Sequence, residues 1–534
     1  MGFVARGLLL VALSVLAACG ESGNGALPTD LLRGNSVYTQ GMFPASSTLA
    51  SQCAAPRAGT SERTGSTFTE NMFLRSWTRE FYLWYQEVPD RDPTGFSTQD
   101  YFYDVLKTPL TTTSGRDKDQ FHFTYPTDVW ENLSQGGIEV GYGAQWMVVA
   151  ARPPRKIVIA FVEPGTPATA ASANLSRGAE VLFTDGVDVV NANTEAAVDT
   201  INAALFPDST GRPHTFRIRE HSGAIRDVTL TPVAITHDPV PLASVIDQSG
   251  VPVGYLLFND HVATAESELI QAVDMLRAAD IQDLILDLRY NGGGYLDLAS
   301  ELAYMIAGGA LTSGQPFERM VFNDKYPSTN PITGQPLSPT PFHTTAQGFN
   351  VPRGTQLPTL NLPRVYVITG ANTCSASESI INSLRGVGVQ VYQIGSKTCG
   401  KPYGFYPQNN CGTTYFSIQF QGLNAQGFGD YADGFTPQNS SDASATRLSG
   451  CSVADDLTLQ LGDPNEGRLR AALAFRAGNN QYCPFAAGVG PNAQQKAGQG
   501  AAVEGALVRS PMRENRILRD GPFEPASSAT RVRM

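Results

Sequence analysis

The stretch that decides the fold reads Thr-Cys-Ser-Ala-Ser-Glu at 373–378 and Lys-Thr-Cys-Gly-Lys at 397–401. Apolar runs at 365–369 and 389–394 predict a strand before each of these two motifs. Between the motifs, apolar residues recur at helical spacing, so the expected order is strand, turn, helix, strand. The first motif would then stand at the N-terminus of the helix, and the second would follow the next strand.

Ser375 and Lys401 could therefore meet in space. A serine next to an unprotonated amine is the pattern of nucleophilic catalysis by a Ser–Lys pair. The lysine must be neutral to accept the serine proton, and full burial lowers a lysine pKa by up to ~3–5 units because it disfavours the ammonium ion. The alternative is a βαβ core segment in which both side chains lie on the surface.

The length and charge of the chain limit the classes of protein to which it can belong. Its 534 residues exceed what one hydrophobic core holds, so about two to four domains are expected. The net charge is −11 and no basic block is present, so nucleic acid is not expected as a partner. Beyond the N-terminus no run of about 18 apolar residues occurs, so no membrane-spanning helix is expected. No Cys-x-x-Cys pair is present, and neither a metal nor another cofactor is expected.

Residues 1–18 have the pattern of a secretory signal: one arginine, then an apolar run, then small residues at the end. Leu-Ala-Ala before Cys19 resembles a bacterial lipobox, which would make Cys19 the lipidated first residue of the mature protein. Gly20 after the cysteine implies sorting to the outer membrane, with the protein facing the periplasm, and residues 19–66 would form a tether. The alternative is a plain signal peptide in which Cys19 is incidental.

Six cysteines remain after Cys19, and an even number in an exported chain indicates disulfides. Six cysteines allow fifteen pairings, among which the sequence does not choose. Two of them lie beside the proposed catalytic pair: Cys374 precedes Ser375, and Cys399 lies two residues before Lys401. We expect Cys399 to bond either Cys374 or Cys411 and thereby to fix the Lys401 loop.

Residues 67–132 predict a small helical N-terminal domain. Aromatic residues such as Phe73, Trp77 and Phe81 recur there at spacings of three and four, which favours core packing over a ligand site. From 133 to 238 the character changes to short strands separated by Gly and Pro turns. Two units of different class are therefore expected before the main domain.

The order of turns and strands in residues 133–238 resembles a PDZ domain of the kind built into bacterial C-terminal processing peptidases. Such domains hold a peptide's terminal carboxylate with backbone amides of a Gly-rich loop and add the peptide as a strand. The resemblance makes Gly141 and Gly143 that peptide-binding loop. The alternative is a small β-domain that binds nothing. We call residues 133–238 the PDZ-like unit.

A glycine run at 292–294 follows a predicted strand and precedes a predicted helix, so it exposes backbone N–H groups that can stabilise an anion. A phosphate loop would end in Gly-Lys-Ser/Thr, and a dinucleotide site would read G-x-G-x-x-G. Neither pattern is present here. An oxyanion hole needs only N–H donors aimed at a carbonyl oxygen that becomes charged, and the sequence fits that requirement better.

The PDZ-like unit, the turn Asp-Leu-Arg-x-Asn-x-Gly-Gly at 287–294 and the two motifs around Ser375 and Lys401 together resemble the S41 serine peptidases, over about 136–475. The resemblance implies an α/β multidomain protein with a ClpP/crotonase-like ββα peptidase core. It implies Ser375 as nucleophile, Lys401 as general base, and Glu378 as a supporting carboxylate. The implied oxyanion donors are the backbone N–H groups of Gly293 and Ala376.

The implied peptidase domain covers 239–484 and contains an enlarged stretch, 309–362, without periodicity. We interpret this stretch as a structureless insertion that rims the active site and could act as a lid. Residues 485–534 are rich in Gly, Ala, Gln and Arg and predict a disordered tail. The sequence also departs from the family pattern, because Phe405 stands where many members carry a glutamine four residues after the lysine.

The predicted function is a lipid-anchored periplasmic serine endopeptidase that acts on proteins or peptides. Rival bases for Ser375 are His261, His122 and Lys397, although neither histidine lies in a motif that pairs with a serine. Two other functions stay open: a non-catalytic protein that binds peptides or apolar ligands on the same fold, and a PDZ-like scaffold with an inert peptidase domain.

Overall fold

The structure, a computed structural model, describes residues 37–481, Cys483 and two short strands at 506–507 and 516–517. The predicted signal sequence, Cys19 and most of the predicted tail lie outside the described residues. Within the described part of the chain, no helix is both long enough and apolar enough to cross a membrane.

The N-terminal unit is mainly helical. Its longest helix, α2 (Thr67–Phe81), begins at a capping box in which Ser66 N–H donates to Thr69 Oγ1 and Thr69 N–H donates to Ser66 Oγ. The aromatic stripe is core packing, as predicted, since Phe73 and Trp77 are each 2% exposed. The elements are α1 (Ser46–Leu49), β1 (Gln52–Cys53), β2 (Arg63–Thr64), α2 (Thr67–Phe81), α3 (Thr98–Asp100), β3 (Phe123–Pro126) and α4 (Thr127–Gly136).

The PDZ-like unit is a β-sheet covered by one helix, with a hydrophobic core of its own. Its elements are β4 (Ile138–Gly141), β5 (Ala144–Ala150), β6 (Lys156–Val162), β7 (Glu180–Thr184), β8 (Val187–Asp188), α5 (Glu195–Leu205), β9 (His214–Arg219), β10 (Ile225–Leu230) and β11 (Val233–Thr236). The main sheet has the order β10-β9-β7-β6-β5, and β11 pairs with β4. Burial alternates residue by residue along β9, as expected for a strand with one face on a core.

The main domain is built on a six-stranded sheet. Its first elements are β12 (Leu242–Gln248), β13 (Val251–Leu257), α6 (Ala265–Ala278), β14 (Asp283–Asp287), β15 (Gly294–Tyr295), α7 (Leu296–Ala307), α8 (Gly309–Thr312), β16 (Pro316–Val321), β17 (Thr340–Pro341), β18 (Arg364–Thr369), α9 (Ala376–Gly386) and β19 (Gln390–Gly395). They continue with β20 (Tyr403–Gly404), β21 (Gln408–Asn410), β22 (Thr413–Phe416), β23 (Phe420–Leu423), β24 (Phe435–Pro437), β25 (Thr446–Leu448), β26 (Gly450–Ser452) and α10 (Gly467–Ala477). The tail adds β27 (Ala506–Leu507) and β28 (Arg516–Ile517).

The strand order of this sheet is β12-β13-β14-β18-β19-β26, and all its pairings are parallel except that of β12 with β13. β14 is buried along its whole length, as a central parallel strand should be. One face packs on α6, α7 and α9, and the other packs on α10. The carboxyl ends of β13, β14, β18 and β19 meet at one edge, where open α/β sheets place their sites.

Residues 37–66 are attached to the body of the protein. A disulfide joins Cys53 to Cys411, which is 358 positions away in sequence, and Ser51 N–H donates to Asn410 Oδ1. The prediction of a tether over 19–66 is therefore wrong for residues 37–66. The N-terminal unit also shares its packing with the main domain, because β3 pairs antiparallel with β22.

The segment 309–362 is ordered, so the expectation of a structureless stretch is wrong. β16 pairs antiparallel with β23, which supplies backbone partners from outside the segment. Four consecutive backbone N–H groups at 348–351 donate to the buried carboxylate of Glu266 on α6. β16 also brings Glu318 to the hydroxyl of Ser379 in α9. The segment thus packs beside the helix that follows Ser375.

A buried charge cluster joins the PDZ-like unit to the main sheet. Arg289 is fully buried and donates to the carboxylates of Asp287, Asp455 and Glu466. Arg177 of the PDZ-like unit reaches the same Asp455 at 2.8 Å. Burial works against ionisation of Asp455, but Arg177, Arg468 and Arg289 hold the pKa of its carboxyl below the usual value.

We expect Arg289→Met to lower the free energy of unfolding by about 3–5 kcal/mol, because it leaves buried carboxylates without a counter-ion. The matched control is Arg217→Met, since Arg217 pairs with Asp227 where both side chains are about half exposed. That exposed pair should contribute little to stability, because water and salt screen the attraction between its charges. Urea unfolding followed by circular dichroism measures both changes, and equal losses in the two variants would contradict the assignment.

Candidate active site

Ser375 stands on a strained turn between β18 and α9. Its φ is +58° and its ψ is −114°, a region that residues with a Cβ seldom adopt. Such a turn from strand to helix is how other hydrolase folds present a nucleophile. Neighbouring contacts hold the turn: Cys374 N–H and Ser377 Oγ both donate to the backbone oxygen of Asn291.

The carboxylate of Glu378 ties Ser375 to Lys401. Its Oε2 accepts from Ser375 N–H at 3.0 Å and from Lys401 N–H at 2.8 Å. Its Oε1 accepts from Gly400 N–H and from the Thr398 hydroxyl. Burial raises the pKa of the Glu378 carboxyl, and these hydrogen bonds act against that shift. One buried side chain therefore positions the backbones of both predicted catalytic residues.

The disulfide between Cys374 and Cys399 makes a second link between the two loops. The Cα atoms of this pair are 5.2 Å apart, and Cys399 N–H donates to Thr373 O. The structure thus selects Cys374 from the two partners predicted for Cys399. Cys411 bonds Cys53 instead, and Cys451 bonds Cys483.

Lys401 is fully buried among aromatic rings. Its Nζ lies 4.6 Å from the ring centroid of Phe121 and 4.8 Å from that of Phe405. Phe405, at the position where the resemblance predicted a glutamine, thus places an aromatic face beside the amine. Lys397, a rival base, instead pairs with Asp442 at 2.5 Å, where both side chains are about one third exposed.

The glycine turn at 292–294 lies against the turn that carries Ser375. One of the two predicted oxyanion donors is already hydrogen-bonded within the protein. Gly293 N–H donates to Asn291 Oδ1 at 3.0 Å, so this bond must open before Gly293 can serve a substrate oxygen. Ala376 N–H is in the first turn of α9, where helix N–H groups have no partner within the helix. Gly294 is required because a Cβ there would lie 2.4 Å from His261 O.

Asn291 also fixes which ring nitrogen of His261 carries the proton. Because Asn291 Nδ2 donates to Phe258 O, its Oδ1 is the acceptor, and His261 Nδ1 at 2.9 Å must donate to it. Burial lowers the pKa of His261 to about 3, so the imidazole is neutral and its buried Nε2 carries a lone pair. His261 therefore supports the glycine turn through Asn291.

His122, the second histidine considered as an alternative base for Ser375, lies within the N-terminal unit. Its Nδ1 is 2.6 Å from Asp119 Oδ2, which also accepts from the Tyr82 hydroxyl. Its ring packs against those of Tyr82 and Phe102. These contacts make His122 part of a packed polar network in this unit.

Gly141 and Gly143 line a groove of the PDZ-like unit, together with the end of α5 and β11. Gly143 has φ +78°, and a Cβ there would lie 2.1 Å from the Thr166 hydroxyl, so the loop requires glycine. Trp146 Nε1–H donates to Leu205 O and holds α5 over the sheet. The groove is separate from the Ser375 turn, and the structure does not bring these two glycines to it.

No role was predicted for Asn291, although the residue is part of the turn at 287–294. Its position two residues before Gly293 is the available signal, since an Asn side chain can accept the N–H two residues on. Gln419 was also missed. Its backbone N–H donates to Gly404 and its Oε1 accepts from Tyr406 N–H, so it borders Phe405.

Comparisons with known proteins show a resemblance to peptidases. Residues 252–405 match the model of peptidase family S41. A carboxyl-terminal-processing protease of Picosynechococcus sp. is 26% identical over 242 residues, which cover 45% of this chain and 49% of that protein. The chain therefore spans about half the length of this curated relative.

Among solved structures, an S41 protease from Bacteroides fragilis aligns over 76% of this chain and 97% of its own, with a TM-score of 0.55 and 23% identity. This likeness shows a shared fold. The described part of the chain thus has the fold of an S41 protease, with mixed α and β content.

The neutral state of His261 predicts an acid-dependent loss of stability. Its folded pKa of about 3 lies below the ordinary value of 6.5, so the unfolded chain binds a proton that the folded chain does not. Between those values, stability falls with falling pH by at most ~1.4 kcal/mol per pH unit from this group.

We expect His261→Gln to remove that contribution and to flatten the dependence of the unfolding free energy on pH between about 3 and 6.5. His221→Gln, at an exposed histidine, is the control and should leave the slope unchanged. Urea unfolding at a series of pH values measures the slope. An unchanged slope in His261→Gln would mean that the folded protein accommodates the imidazolium.

Proposed function

We propose that this chain, whose residues 252–405 form a peptidase family S41 domain, is a serine endopeptidase in which Ser375 is the nucleophile and Lys401 the general base. The observation that carries the proposal is the shared contact with Glu378. A single carboxylate oxygen accepts from the backbone N–H groups of both residues, and both side chains are fully buried. A serine and a lysine without a common task would not require this arrangement.

The proposed reaction begins with transfer of the Ser375 hydroxyl proton to the neutral Lys401 amine while Oγ attacks the peptide carbonyl carbon. The carbonyl oxygen becomes an oxyanion, which Ala376 N–H and Gly293 N–H stabilise once Gly293 releases Asn291. The Lys401 ammonium then protonates the leaving amine, and an acyl-enzyme ester on Ser375 remains. Water, deprotonated by Lys401, hydrolyses the ester and restores both groups.

Each structural unit of the chain has its own role in the proposed function. The six-stranded sheet and its helices act as the ClpP/crotonase-like ββα core, within 239–484. The PDZ-like unit inserted before it grips the C-terminus of the substrate with the Gly141–Gly143 loop and adds the peptide as a strand. Arg177, which joins this unit to Asp455 of the main domain, holds the groove at a defined place relative to the core.

The proposed location follows from the N-terminal sequence and the disulfides. Three disulfides suit an oxidising compartment. We propose export through the signal at 1–18, lipidation at Cys19 and an outer-membrane location facing the periplasm, where the substrates are exported proteins or peptides. Mass spectrometry of the mature N-terminus tests the anchor, since a plain signal peptide would leave Cys19 unmodified.

We expect Ser375→Ala and Lys401→Met each to reduce hydrolysis of casein or of a C-terminally tagged peptide by about a thousandfold or more, because each removes a group that moves in the chemical step. Lys397→Met is the matched control at a partly exposed lysine four residues away and should retain near-normal activity.

Equal cleavage by the wild type and Ser375→Ala would remove the peptidase assignment. Peptide binding by a wild type that cleaves nothing would favour the non-catalytic binding protein. Loss of activity in Lys397→Met with full activity in Lys401→Met would move the role of base to the other lysine.

A further inference from the structure

The N-terminal unit contains a cavity to which the proposed function gives no role. Its volume is about 230 Å³, and its walls come from α2, from the chain before it at 41–43 and from the chain after it at 85–106. Pockets that enclose drug-sized ligands are larger, roughly 300–1,000 Å³. A cavity of this size therefore has room for one bulky apolar group.

The inner walls of the cavity are apolar. Tyr85, Tyr101 and Leu106 line it and are buried, and Tyr101 and Leu106 belong to the hydrophobic core of this unit. Phe43 and Val88 are half-buried and line it as well. Transfer of an apolar group of a ligand from water to such walls is favourable.

Arg79 places a positive charge at the wall of this cavity. Its guanidinium carbon lies 5.1 Å from the ring centroid of Phe43 and 4.5 Å from that of Tyr85. Within residues 37–481, the Arg79 side chain makes these two ring contacts but no ion pair with a carboxylate. A guanidinium held between rings keeps its five N–H donors, and their fork matches the two oxygens of a carboxylate.

The neighbouring charges leave Arg79 as the group that an anion can use. Arg75 also lines the cavity, but its Nε and Nη2 donate to the two carboxylate oxygens of Asp90 at 2.6 and 2.7 Å. Lys325 of the segment 309–362 lies on the Tyr85 ring, with its Nζ 4.0 Å from the centroid. Burial lowers the pKa of Lys325, and the charge of Arg79 lowers it further. An anion bound at Arg79 would reduce the repulsion between these two cations.

A buried hydroxyl in the same wall also has no partner. Thr78 on α2 lines the cavity and is 2% exposed, and its Oγ1 makes no hydrogen bond with any residue that the structure describes. Buried polar groups in proteins are nearly always hydrogen-bonded. An unpaired hydroxyl beside a cavity therefore indicates a partner that comes from outside the protein.

We propose that this cavity binds a carboxylate that carries one bulky apolar group. Arg79 donates to the carboxylate, and the apolar group packs against Tyr85, Tyr101 and Leu106. A free aromatic or branched amino-acid derivative has this chemistry, and so has the last residue of a peptide that ends in an apolar side chain. The site shares no residue with the Ser375 turn or the Gly141–Gly143 loop, so it does not depend on the proposed hydrolysis.

Titration calorimetry on the full-length chain tests the site. The chain carries Ser375→Ala, so that a peptide probe stays intact. We expect N-acetylphenylalanine to bind, and its amide to bind about tenfold or more weakly, because the amide loses the charge-assisted contact with Arg79. Acetate, which has no apolar group, should show no saturable binding. The affinity for N-acetylphenylalanine should fall as salt rises.

Variants of the cavity locate the binding. Arg79→Gln should weaken the binding of N-acetylphenylalanine by about tenfold or more, because it removes the cation. The matched control is Arg63→Gln, at an exposed arginine of the same unit that does not line the cavity, and it should bind like the parent chain. Val88→Trp fills the cavity while Arg79 stays in place, and it should also weaken binding. Circular dichroism checks that each variant is folded.

A peptide that ends in phenylalanine with a free carboxylate distinguishes the two sources of this chemistry. Affinity equal to or higher than that of N-acetylphenylalanine would identify a peptide C-terminus as the ligand, and binding of the small probe alone would identify a free derivative. Unchanged affinity in Arg79→Gln would place the binding elsewhere and overturn the proposal. Equal binding of acid and amide, or no saturable binding of either probe, would overturn it as well. None of these results would alter the test of Ser375 and Lys401.

Discussion

The structure of the site depends on one buried carboxylate. Glu378 is 0% exposed, and burial of a charge is costly unless hydrogen bonds replace its water. Here the donors come from both loops: Ser375 N–H from one, and Lys401 N–H, Gly400 N–H and the Thr398 hydroxyl from the other. The need to satisfy this carboxylate therefore fixes the distance between the loops, and the Cys374–Cys399 disulfide closes the same junction covalently. The strained backbone of Ser375 is held in the resulting frame.

The central sheet brings a third turn to this junction. β14 ends at Asp287, beside β18, and the chain that leaves it places Asn291 against the nucleophile turn. Asn291 then acts in two directions: its backbone oxygen accepts from Cys374 and Ser377, while its side chain accepts from Gly293 and His261. The Gly293 N–H of the oxyanion turn is thus hydrogen-bonded to an acceptor within the protein. Because this N–H is occupied and Ser375 is 0% exposed, the site must rearrange before a substrate carbonyl can reach it.

Local patterns in the sequence predicted the order strand, turn, helix, strand around Ser375 and the glycine turn, because helical and strand periodicities act over a few residues. They also identified the residues that Glu378 brings together. Features that depend on distant partners were not accessible in this way. Residues 37–66 look like a tether until Cys53 is paired with Cys411, and the segment 309–362 lacks periodicity because β23 and Glu266 supply its partners. The engagement of Gly293 by Asn291 depends on side-chain geometry, which residue types alone do not specify.

The central claim is that Glu378 positions the nucleophile and its base for the chemical step. The most direct measurement is the rate at which a fluorophosphonate labels Ser375, followed by intact-mass and peptide mass spectrometry, in the wild type and in Glu378→Gln. The amide offers one acceptor oxygen in place of two, so the account predicts labelling of Ser375 in the wild type and labelling slower by about tenfold or more in Glu378→Gln, with the fold retained. Asp442→Asn, which removes only the partner of Lys397, should label like the wild type. Unchanged labelling of Ser375 in Glu378→Gln, or labelling at another residue in the wild type, would contradict the account.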